Sequence, residues 1–401
     1  MVKPEGRRGG RTPTYFEHAP GECGRRRHAS WSLACQALAV AGLLALLAGA
    51  GSRVALAEHL IAAIATKGSI HQPYGAEVLD GATEAAARIN AAGGVAGQPI
   101  RIIGWSEDCT RERAVQIAEE IVRLAPAVVI GHLCAGAAMA AAPIYARAGI
   151  LLIVPGVRHP ELTGEGTGGL ILRLAGREDR FASDTVRAIR DRYPGEGVAI
   201  VADRTRQAGG LADAIAAELS REKMALRLNE RIESGEPSYD GVAARVRASG
   251  AGVVVMPAQP IELGVLIQSL RRAGVTAPLV GSEILAVPAI IATARQERDQ
   301  LVLMLPWSGL DDAGSSLAVG VDPTLARREA VRRTSHAAVE IWATAARRAA
   351  TVAARPVAQA ARAQTAVTAV GSIRFDEAGD AIVPSYLPHV WREGAWRLLE
   401  P

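Results

Sequence analysis

The sequence predicts an α/β protein with two Rossmann-like lobes, each built on a parallel sheet. Short apolar runs rich in β-branched residues recur along the chain, and helical stretches of ten to twenty residues separate most of them. A strand, helix, strand order with short connections is typical of parallel sheets with helices on both faces. At 401 residues and 49% hydrophobic residues, the chain is long enough for two cores of ordinary size.

The predicted strands are more numerous than a single sheet of ordinary size needs. They are 60–65, 100–105, 127–131, 150–154, 198–202, 253–256, 279–281 and 301–305, with further strand-like segments at 372–375 and 386–391. Because an open parallel sheet binds ligands outside the carboxyl ends of its strands, two facing lobes predict a ligand cleft.

The first two predicted helices show the spacing of a buried face. The first has one apolar stripe, and a glycine pair follows it where the chain turns into the next strand. The second repeats the pattern and is followed by Pro126. The residues of the two stripes are Val78, Ala82, Ala85, Ala86 and Ile89, then Ala114, Ile117, Ala118, Ile121 and Val122.

The first 57 residues have the features of a secretory signal peptide. An arginine cluster at 25–27 precedes an apolar segment at 33–50, and residues 55–57 supply the small-x-small pattern of a cleavage site. We expect cleavage between Ala57 and Glu58 and a periplasmic mature protein. The alternative is a membrane anchor, which the alanine and glycine content, the short length and the cleavage pattern disfavour.

The predicted signal peptide carries much of the positive charge of the chain. It holds eight of the 45 basic and three of the 41 acidic residues, which leaves 37 basic and 38 acidic residues in the mature protein. A net charge of about −1 gives no case for nucleic-acid binding.

Two of the four cysteines, Cys23 and Cys35, leave with the predicted signal peptide. Cys109 and Cys134 remain, an even pair in an oxidising compartment, and we expect them to form a disulfide. Closing a loop of about 25 residues would stabilise the fold by roughly 3.5 kcal/mol in the chain-entropy model. The alternative is two buried free thiols.

Motifs for catalysis are weak in this sequence. Residues 164–169 match G-x-G-x-x-G, but a strand-like run follows them instead of the helix that a dinucleotide site requires. His132 lies near Cys134, yet a disulfide would consume that thiol, and a histidine at the end of a buried strand is more often structural. His71, His159, His336 and His389 are scattered along the chain and show no metal-ligand spacing. We therefore expect a protein that is not an enzyme, with no metal and no cofactor.

Eight segments, in this order, resemble the periplasmic leucine/isoleucine/valine-binding proteins of ABC transporters. The glycine turns, both cysteines and their spacing recur together over essentially the whole predicted mature chain. The segments are QPYGAEVLDGATEAAARINAAGGVAGQPIRI (72–102), EDCTRERAV (107–115), GHLC (131–134), PIYARAGI (143–150), HPELT (159–163), RLAGREDR (173–180), QSLRRAG (268–274) and IRFDEAGDA (373–381).

The resemblance implies a type I periplasmic binding protein. Such a protein has two lobes joined by three crossover hinge strands, and it closes around one amino acid and delivers it to a membrane permease. We expect a first lobe of 58–175 plus 309–380, a second lobe of 176–308 plus 381–401, and a monomer that does not span the membrane.

The resemblance also implies individual site residues. The first-lobe cysteine pair matches Cys109 and Cys134, the aromatic residue that covers the ligand matches Tyr74, and Leu133 lies in the ligand loop. The second-lobe carboxylate that pairs with the ligand ammonium matches Glu283, which could otherwise be only a helix N-terminal acid. Such a pair in a closed cleft forms a strong charge-assisted bond.

Four expected ligand contacts are replaced here. Ala135 stands where the family places a ligand-binding hydroxyl, and Gly156, Val157 and Arg158 stand where it places small residues and a threonine. Pocket aromatics are replaced by two amides, Gln207 and Gln259.

Two explanations of these replacements remain open. Arg158 could hold a ligand carboxylate in place of the hydroxyls, helped by backbone amides at a helix N-terminus. Alternatively, the pocket binds another small molecule and Arg158 is a solvated loop residue. The sequence thus predicts an amino-acid-binding subunit of an importer, with a periplasmic sensor for an amide, urea or other small molecule as the alternative.

Overall fold

Two large sheets organise the part of the chain that the computed structural model describes. That part comprises residues 57–68, 72–164, 167–283, 301–309, 317–318, 323–392 and 395–399. The predicted signal peptide lies outside it, apart from Ala57. No helix of the described residues is both long and apolar enough to cross a membrane.

The strands are numbered in chain order. They are β1 (His59–Thr66), β2 (Ile100–Glu107), β3 (Val128–Ile130), β4 (Leu151–Val154), β5 (Ile171–Arg173), β6 (Val198–Asp203), β7 (Leu226–Ile232), β8 (Val253–Val255), β9 (Leu279–Ser282), β10 (Leu301–Pro306), β11 (Leu317–Ala318), β12 (Ala366–Thr368), β13 (Gly371–Ile373), β14 (Tyr386–Arg392) and β15 (Ala395–Leu398).

The helices alternate with the strands through most of the chain, as predicted. They are α1 (Gln72–Gly75), α2 (Glu77–Ala91), α3 (Arg111–Arg123), α4 (Ala135–Arg147), α5 (Phe181–Arg192), α6 (Arg206–Arg221), α7 (Asp240–Ser249), α8 (Pro260–Arg272), α9 (Pro323–Ala349) and α10 (Ala354–Arg362). Two short 3-10 turns lie at Pro160–Thr163 and Glu178–Arg180.

The first sheet has five parallel strands in the order β2-β1-β3-β4-β5. Its central strands β3 and β4 are buried along their whole length, which explains their continuous apolar sequences. Helices α2, α9 and α10 cover one face and α3 and α4 cover the other. The sheet is therefore a layer between two helical layers.

The helix stripes predicted from the sequence pack against this sheet. All five residues of the first stripe are buried in α2, and four of the second are buried in α3, whereas Val122 is only partly buried. In α2, a Cβ on Gly81 would lie 2.0 Å from the carbonyl oxygen of Arg332. Glycine is needed there because α9 passes directly over α2.

The second sheet has eight strands in the order β11-β15-β14-β10-β9-β8-β6-β7. The neighbours from β7 to β10 are parallel, but β14, β15 and β11 pair antiparallel. The predicted parallel sheet is therefore present from β7 to β10, and an antiparallel part at its other side makes the whole sheet mixed. The antiparallel part arises because the chain returns from the first sheet and adds β14 beside β10, with a short connection to β15.

The chain crosses between the sheets three times: between β5 and β6, between β10 and α9, and before β14. Arg173, the last residue of β5, is fully buried and binds Asp380 of the third crossing through Nε (2.9 Å) and Nη2 (2.6 Å). Trp307 lies in the second crossing and donates its backbone N–H to the carbonyl oxygen of Ser385 in the third crossing, with an N···O distance of 3.1 Å. Hydrogen bonds thus join all three crossings.

Candidate functional site

The loops after β3 and β4 bring five of the predicted site residues together. Leu133 and Val157 are buried, while Ala135, Gly156 and Arg158 are partly buried. A Cβ on Gly156 would lie 3.1 Å from Cδ2 of Leu133, so the two loops are in close contact. Because β3 and β4 are neighbours in the sheet, their carboxyl ends place these loops side by side.

Ala135 is the first residue of α4, a helix of 13 residues. Its N-cap residue Cys134 makes no side-chain capping hydrogen bond, so the first amides of α4 have no cap. A helix N-terminus carries partial positive charge and unpaired N–H groups that favour an anion. The small side chains of Ala135 and Gly136 leave this end accessible to a small ligand.

The predicted disulfide between Cys109 and Cys134 is present. The Cα atoms are 5.5 Å apart, within the usual range for disulfides, and the sequence separation is 25 residues. It joins the loop after β2 to the start of α4. The alternative of two free thiols is wrong in this structure.

Arg158 is held against a residue that the sequence analysis did not identify, Tyr386 at the start of β14. The centre of the Arg158 guanidinium lies 4.6 Å from the ring centroid of Tyr386, and Nη2 donates a hydrogen bond to the tyrosine hydroxyl. The Nε atom of Arg158 is buried and has no hydrogen-bond partner among the described residues. Arg158 is therefore not the solvated loop residue considered as an alternative.

Tyr386 lies where charges from both sheets meet. The pKa of Tyr386 is raised to about 12, chiefly by burial; the Arg158 charge opposes this rise, and the charges of Glu283 and Glu178 add to it. The ring packs edge to face on Phe181, with centroids 4.8 Å apart. At neutral pH the hydroxyl is therefore protonated, and Tyr386 links Arg158 to the third crossing.

The predicted second-lobe residues lie at the carboxyl ends of the second sheet. Glu283 follows β9 and is exposed, and Gln207 is exposed in the first turn of α6. Gln259 is partly buried and precedes α8 at its N-cap position, without a side-chain capping hydrogen bond. Among the described residues, no hydrogen bond joins any of these three side chains to Arg158.

A buried carboxylate, also missed by the sequence analysis, fixes the two glutamine positions. Asp203 ends β6 and accepts hydrogen bonds from the backbone N–H of Thr205 (2.9 Å), the Thr205 hydroxyl (2.6 Å) and the backbone N–H of Gln259 (2.7 Å). It thereby joins the starts of α6 and α8. An Asp at the end of an apolar strand, two residues before a Thr cap, was the available sequence signal.

Tyr74 lies in α1, but its side chain lies outside the described part of the chain. The helix itself lies close to β1, because a Cβ on Gly75 would be 2.1 Å from the carbonyl oxygen of Thr66. The described residues contain no cluster of three or more His, Cys, Asp or Glu side chains suited to a metal ion.

A separate groove of about 800 Å³ lies beside the crossings. It is lined by α5, the end of α6 and residues 376–388, and excludes the loops after β3 and β4. Several of its arginines are paired, as Arg187 is with Asp184 (2.6 Å) and Arg190 with Glu222 (2.8 Å). None of the predicted ligand residues lines this groove, although Tyr386 does.

Comparison with known proteins agrees with this architecture. An amino acid binding protein of Pseudomonas aeruginosa is 31% identical over 259 residues, which cover 64% of this chain and 68% of that protein. The Leu/Ile/Val-binding protein of Escherichia coli K12 is 31% identical over 269 residues, 67% of this chain and 72% of its own length.

A solved ABC transporter substrate-binding protein of Desulfitobacterium hafniense in complex with Leu has the same fold. Its TM-score is 0.61 at 18% identity, and the alignment covers 86% of this chain and all of that one. The family described as "Periplasmic binding protein" matches residues 60–390. The chain belongs to this periplasmic binding protein family.

Proposed function

We propose that this protein is the substrate-binding subunit of an ABC importer and that it binds an amino acid or a related small carboxylate between its two sheets. The observation that carries the proposal is the placement of opposite charges around Tyr386. Arg158 lies in the loop after β4 and contacts Tyr386, and Glu283 lies directly after β9 at the carboxyl end of the second sheet, where its charge raises the pKa of Tyr386. An α-amino acid carries the two complementary charges.

The carboxylate of the ligand would bind at the first sheet. The planar guanidinium of Arg158 suits a carboxylate. Its buried Nε–H donates to no acceptor among the described residues, so it is available to a ligand. The uncapped amides at the start of α4 would add further donors. These groups replace the hydroxyl that Ala135 lacks.

The ammonium group would bind Glu283. This carboxylate is exposed, and closure of the two lobes around the crossings would remove it from water. A charge-assisted hydrogen bond in a closed cleft is stronger than one in water. Tyr74 would cover the ligand from the first lobe.

The side chain of the ligand would face Gln207 and Gln259. Amide groups at these positions favour a polar or short side chain over a branched aliphatic one, since buried amides without partners are costly. The closed protein would then deliver its ligand to a membrane permease. We place it in the periplasm as a monomer, after cleavage of the signal peptide near Ala57.

The same two glutamines favour one alternative function. A periplasmic sensor of this fold could bind an uncharged amide or urea with Gln207, Gln259 and the amides of α4, without using Glu283. An amino acid needs Glu283, whereas an uncharged ligand does not. This difference separates the two functions.

A thermal-shift panel on residues 58–401 tests the proposal. The panel comprises the amino acids, simple amides, urea and small carboxylic acids. A compound at 100 times its dissociation constant stabilises the protein by about 2.7 kcal/mol, which moves the melting temperature by several degrees. Stabilisation by an amino acid supports the proposal, and a response only to uncharged compounds contradicts it.

Substitution of Arg158 sharpens this test. We expect Arg158→Met to weaken binding of the best amino acid by about 2 to 3 kcal/mol, because a hydrogen bond to a charged group is lost. Arg158→Lys is the matched control, since it keeps the charge but not the planar fork, and we expect a smaller loss. Calorimetric titration measures both. Unchanged affinity in Arg158→Met would mean that another group holds the carboxylate.

A further inference from the structure

The ligand loop after β3 is joined to the loop after β2 by two successive links. The first is a hydrogen bond between Nδ1 of His132 and Oε2 of Glu107 (2.6 Å), and the second is the Cys109–Cys134 disulfide. Each link joins residues 25 positions apart in the sequence. The two links are therefore parallel rungs, displaced by two residues on each side.

Both rungs pass over the end of β1. This strand lies between β2 and β3 in the sheet, and the loops after β2 and β3 converge beyond its end, where the Cα atoms of Cys109 and Cys134 are 5.5 Å apart. The side chains of Glu107 and His132 are both completely buried. A buried, charge-assisted hydrogen bond of this length is strong, and breaking it leaves a costly unpaired group.

His132 is also directed towards the helix that follows the ligand loop. The hydroxyl of Tyr145 in α4 lies 3.4 Å from Nε2 of His132, and the ring centroids are 6.1 Å apart. Burial and the Glu107 charge raise the pKa of Tyr145 well above its usual value. The tyrosine thus stays neutral, and the imidazole lies between the sheet and α4.

The loop that carries Cys109 needs support on both sides. Cys109 has a φ of 69°, in the left-handed region that costs a residue with a Cβ about 1 to 2 kcal/mol. After it, Thr110 caps α3 and donates its backbone N–H (3.0 Å) and its hydroxyl (2.7 Å) to the carboxylate of Asp108. Before it, the Glu107 side chain is fixed by His132. The strained residue is therefore held even without its own disulfide.

We propose that Glu107 and His132 are positioning residues for ligand binding. Their hydrogen bond is a redox-independent rung that keeps the backbone of residues 133–135 in its binding conformation when the disulfide is absent. Either rung alone is sufficient, and loss of both releases the loop. The proposal rests on the proposed function only because residues 133–135 are taken as the ligand loop.

A four-protein cycle on the full chain tests this proposal by amide hydrogen exchange. The proteins are the wild type, Cys109→Ala with Cys134→Ala, Glu107→Met with His132→Leu, and the combination of all four substitutions. Replacing both Glu107 and His132 with apolar residues avoids an unpaired buried charge, so this variant is suited to fold.

The reporters are two amides at the ends of the loop. Gly131 donates its N–H to the carbonyl of Ile153 (3.1 Å), and Ala138 donates to the carbonyl of Cys134 (2.9 Å). We expect exchange at these amides to rise less than about threefold when either rung is removed and at least 30-fold when both are removed, because each rung replaces the other.

Two further variants separate positioning from general stability. In the cysteine-free background, His132→Asn keeps a donor at the position of Nδ1 and should retain the protection of Gly131 and Ala138. His59→Leu removes another buried histidine of the first lobe, which binds the Val95 carbonyl (3.0 Å) at the opposite end of β1. We expect it to lower the melting temperature without changing exchange in the ligand loop.

Two outcomes would overturn the proposal. One is a 30-fold rise in exchange after removal of the disulfide alone. The other is a combined effect equal to the product of the two separate effects. Exchange decides the matter whether or not any compound binds, so failure of the amino-acid panel remains distinguishable from failure of this inference.

Discussion

At the carboxyl end of the first sheet two polar side-chain pairs are buried, whereas at the corresponding end of the second sheet an ion pair is exposed. Arg173 and Asp380 have side chains that are 0% and 7% exposed, and Glu107 and His132 are both at 0%. In the second sheet, Arg204 directly follows β6 and pairs with Glu233 directly after β7. Those side chains are 61% and 63% exposed.

This difference suggests a division of roles between the two sides of the cleft. The first side has a disulfide, buried polar contacts and two touching loops, so its donors are fixed before a ligand arrives. On the second side, Asp203 fixes the backbone but leaves Gln207 and Glu283 exposed. We infer that the first side determines where the carboxylate binds, while the second side adapts as the lobes close.

Breaking the buried pair at β5 is expected to give the largest effect. Arg173→Met leaves Asp380 inside the protein without its main partner, and the cost of such a change is about 3 to 5 kcal/mol of unfolding free energy. The measurement is the midpoint of urea unfolding. A loss below about 1 kcal/mol would show that Arg177, whose Nη1 lies 3.3 Å from Asp380, compensates.

Arg204→Met is the matched control at the second sheet. Exposed ion pairs contribute about 0 to 1 kcal/mol, since solvent screens them and side-chain entropy opposes them. We expect a change in unfolding free energy within that range. Equal losses from Arg173→Met and Arg204→Met would contradict the comparison between the two sides.

Glu283→Gln is expected to have a smaller effect, and on binding instead of stability. It removes the charge that pairs with the ligand ammonium but keeps a hydrogen-bonding side chain, so affinity for an amino acid should fall by about 1 to 2 kcal/mol. Calorimetric titration with the best amino acid of the panel measures it. Unchanged affinity would favour the sensor of an uncharged ligand.

Much of the fold could be predicted because buried strands have unambiguous sequences. The runs that form β3, β4, β6 and β8 are continuously apolar, apart from Asp203 at the end of β6, and lie inside their sheets. The edge strand β7 was missed, since its sequence LRLNERI mixes charged and apolar residues and only Ile232 is buried. Edge strands lack the burial that makes a strand recognisable from its sequence.

The sequence predicted only those parts of the candidate site that lie within short motifs directly after predicted strands. Ala135 and Arg158 follow predicted strands within motifs, and the structure brings their loops together. Tyr386 could not be found this way, because its contact with Arg158 joins residues 228 positions apart through the third crossing. His132 was expected to be structural; the structure shows it buried and bonded to Glu107, a partner that the sequence alone did not identify.

The smallest expected effect is a pH dependence that reports on Tyr386. Its pKa is raised from about 10 to about 12, mainly by burial, so the folded protein retains this proton more firmly than the unfolded chain does. The resulting stabilisation is fully present below about pH 10 and is lost as pH rises towards 12. Tyr386→Phe should therefore lack this loss. The measurements are unfolding midpoints and the ultraviolet difference titration of the wild type against Tyr386→Phe.

The same titration tests the two charged neighbours of Tyr386. Because Glu283 raises the pKa of Tyr386 and Arg158 lowers it, Glu283→Gln should shift the titration to lower pH and Arg158→Met should shift it to higher pH. If the titration of Tyr386 responds to only one of these substitutions, the other residue does not act on Tyr386. The two sides of the cleft would then not meet at Tyr386, which would contradict the comparison between them.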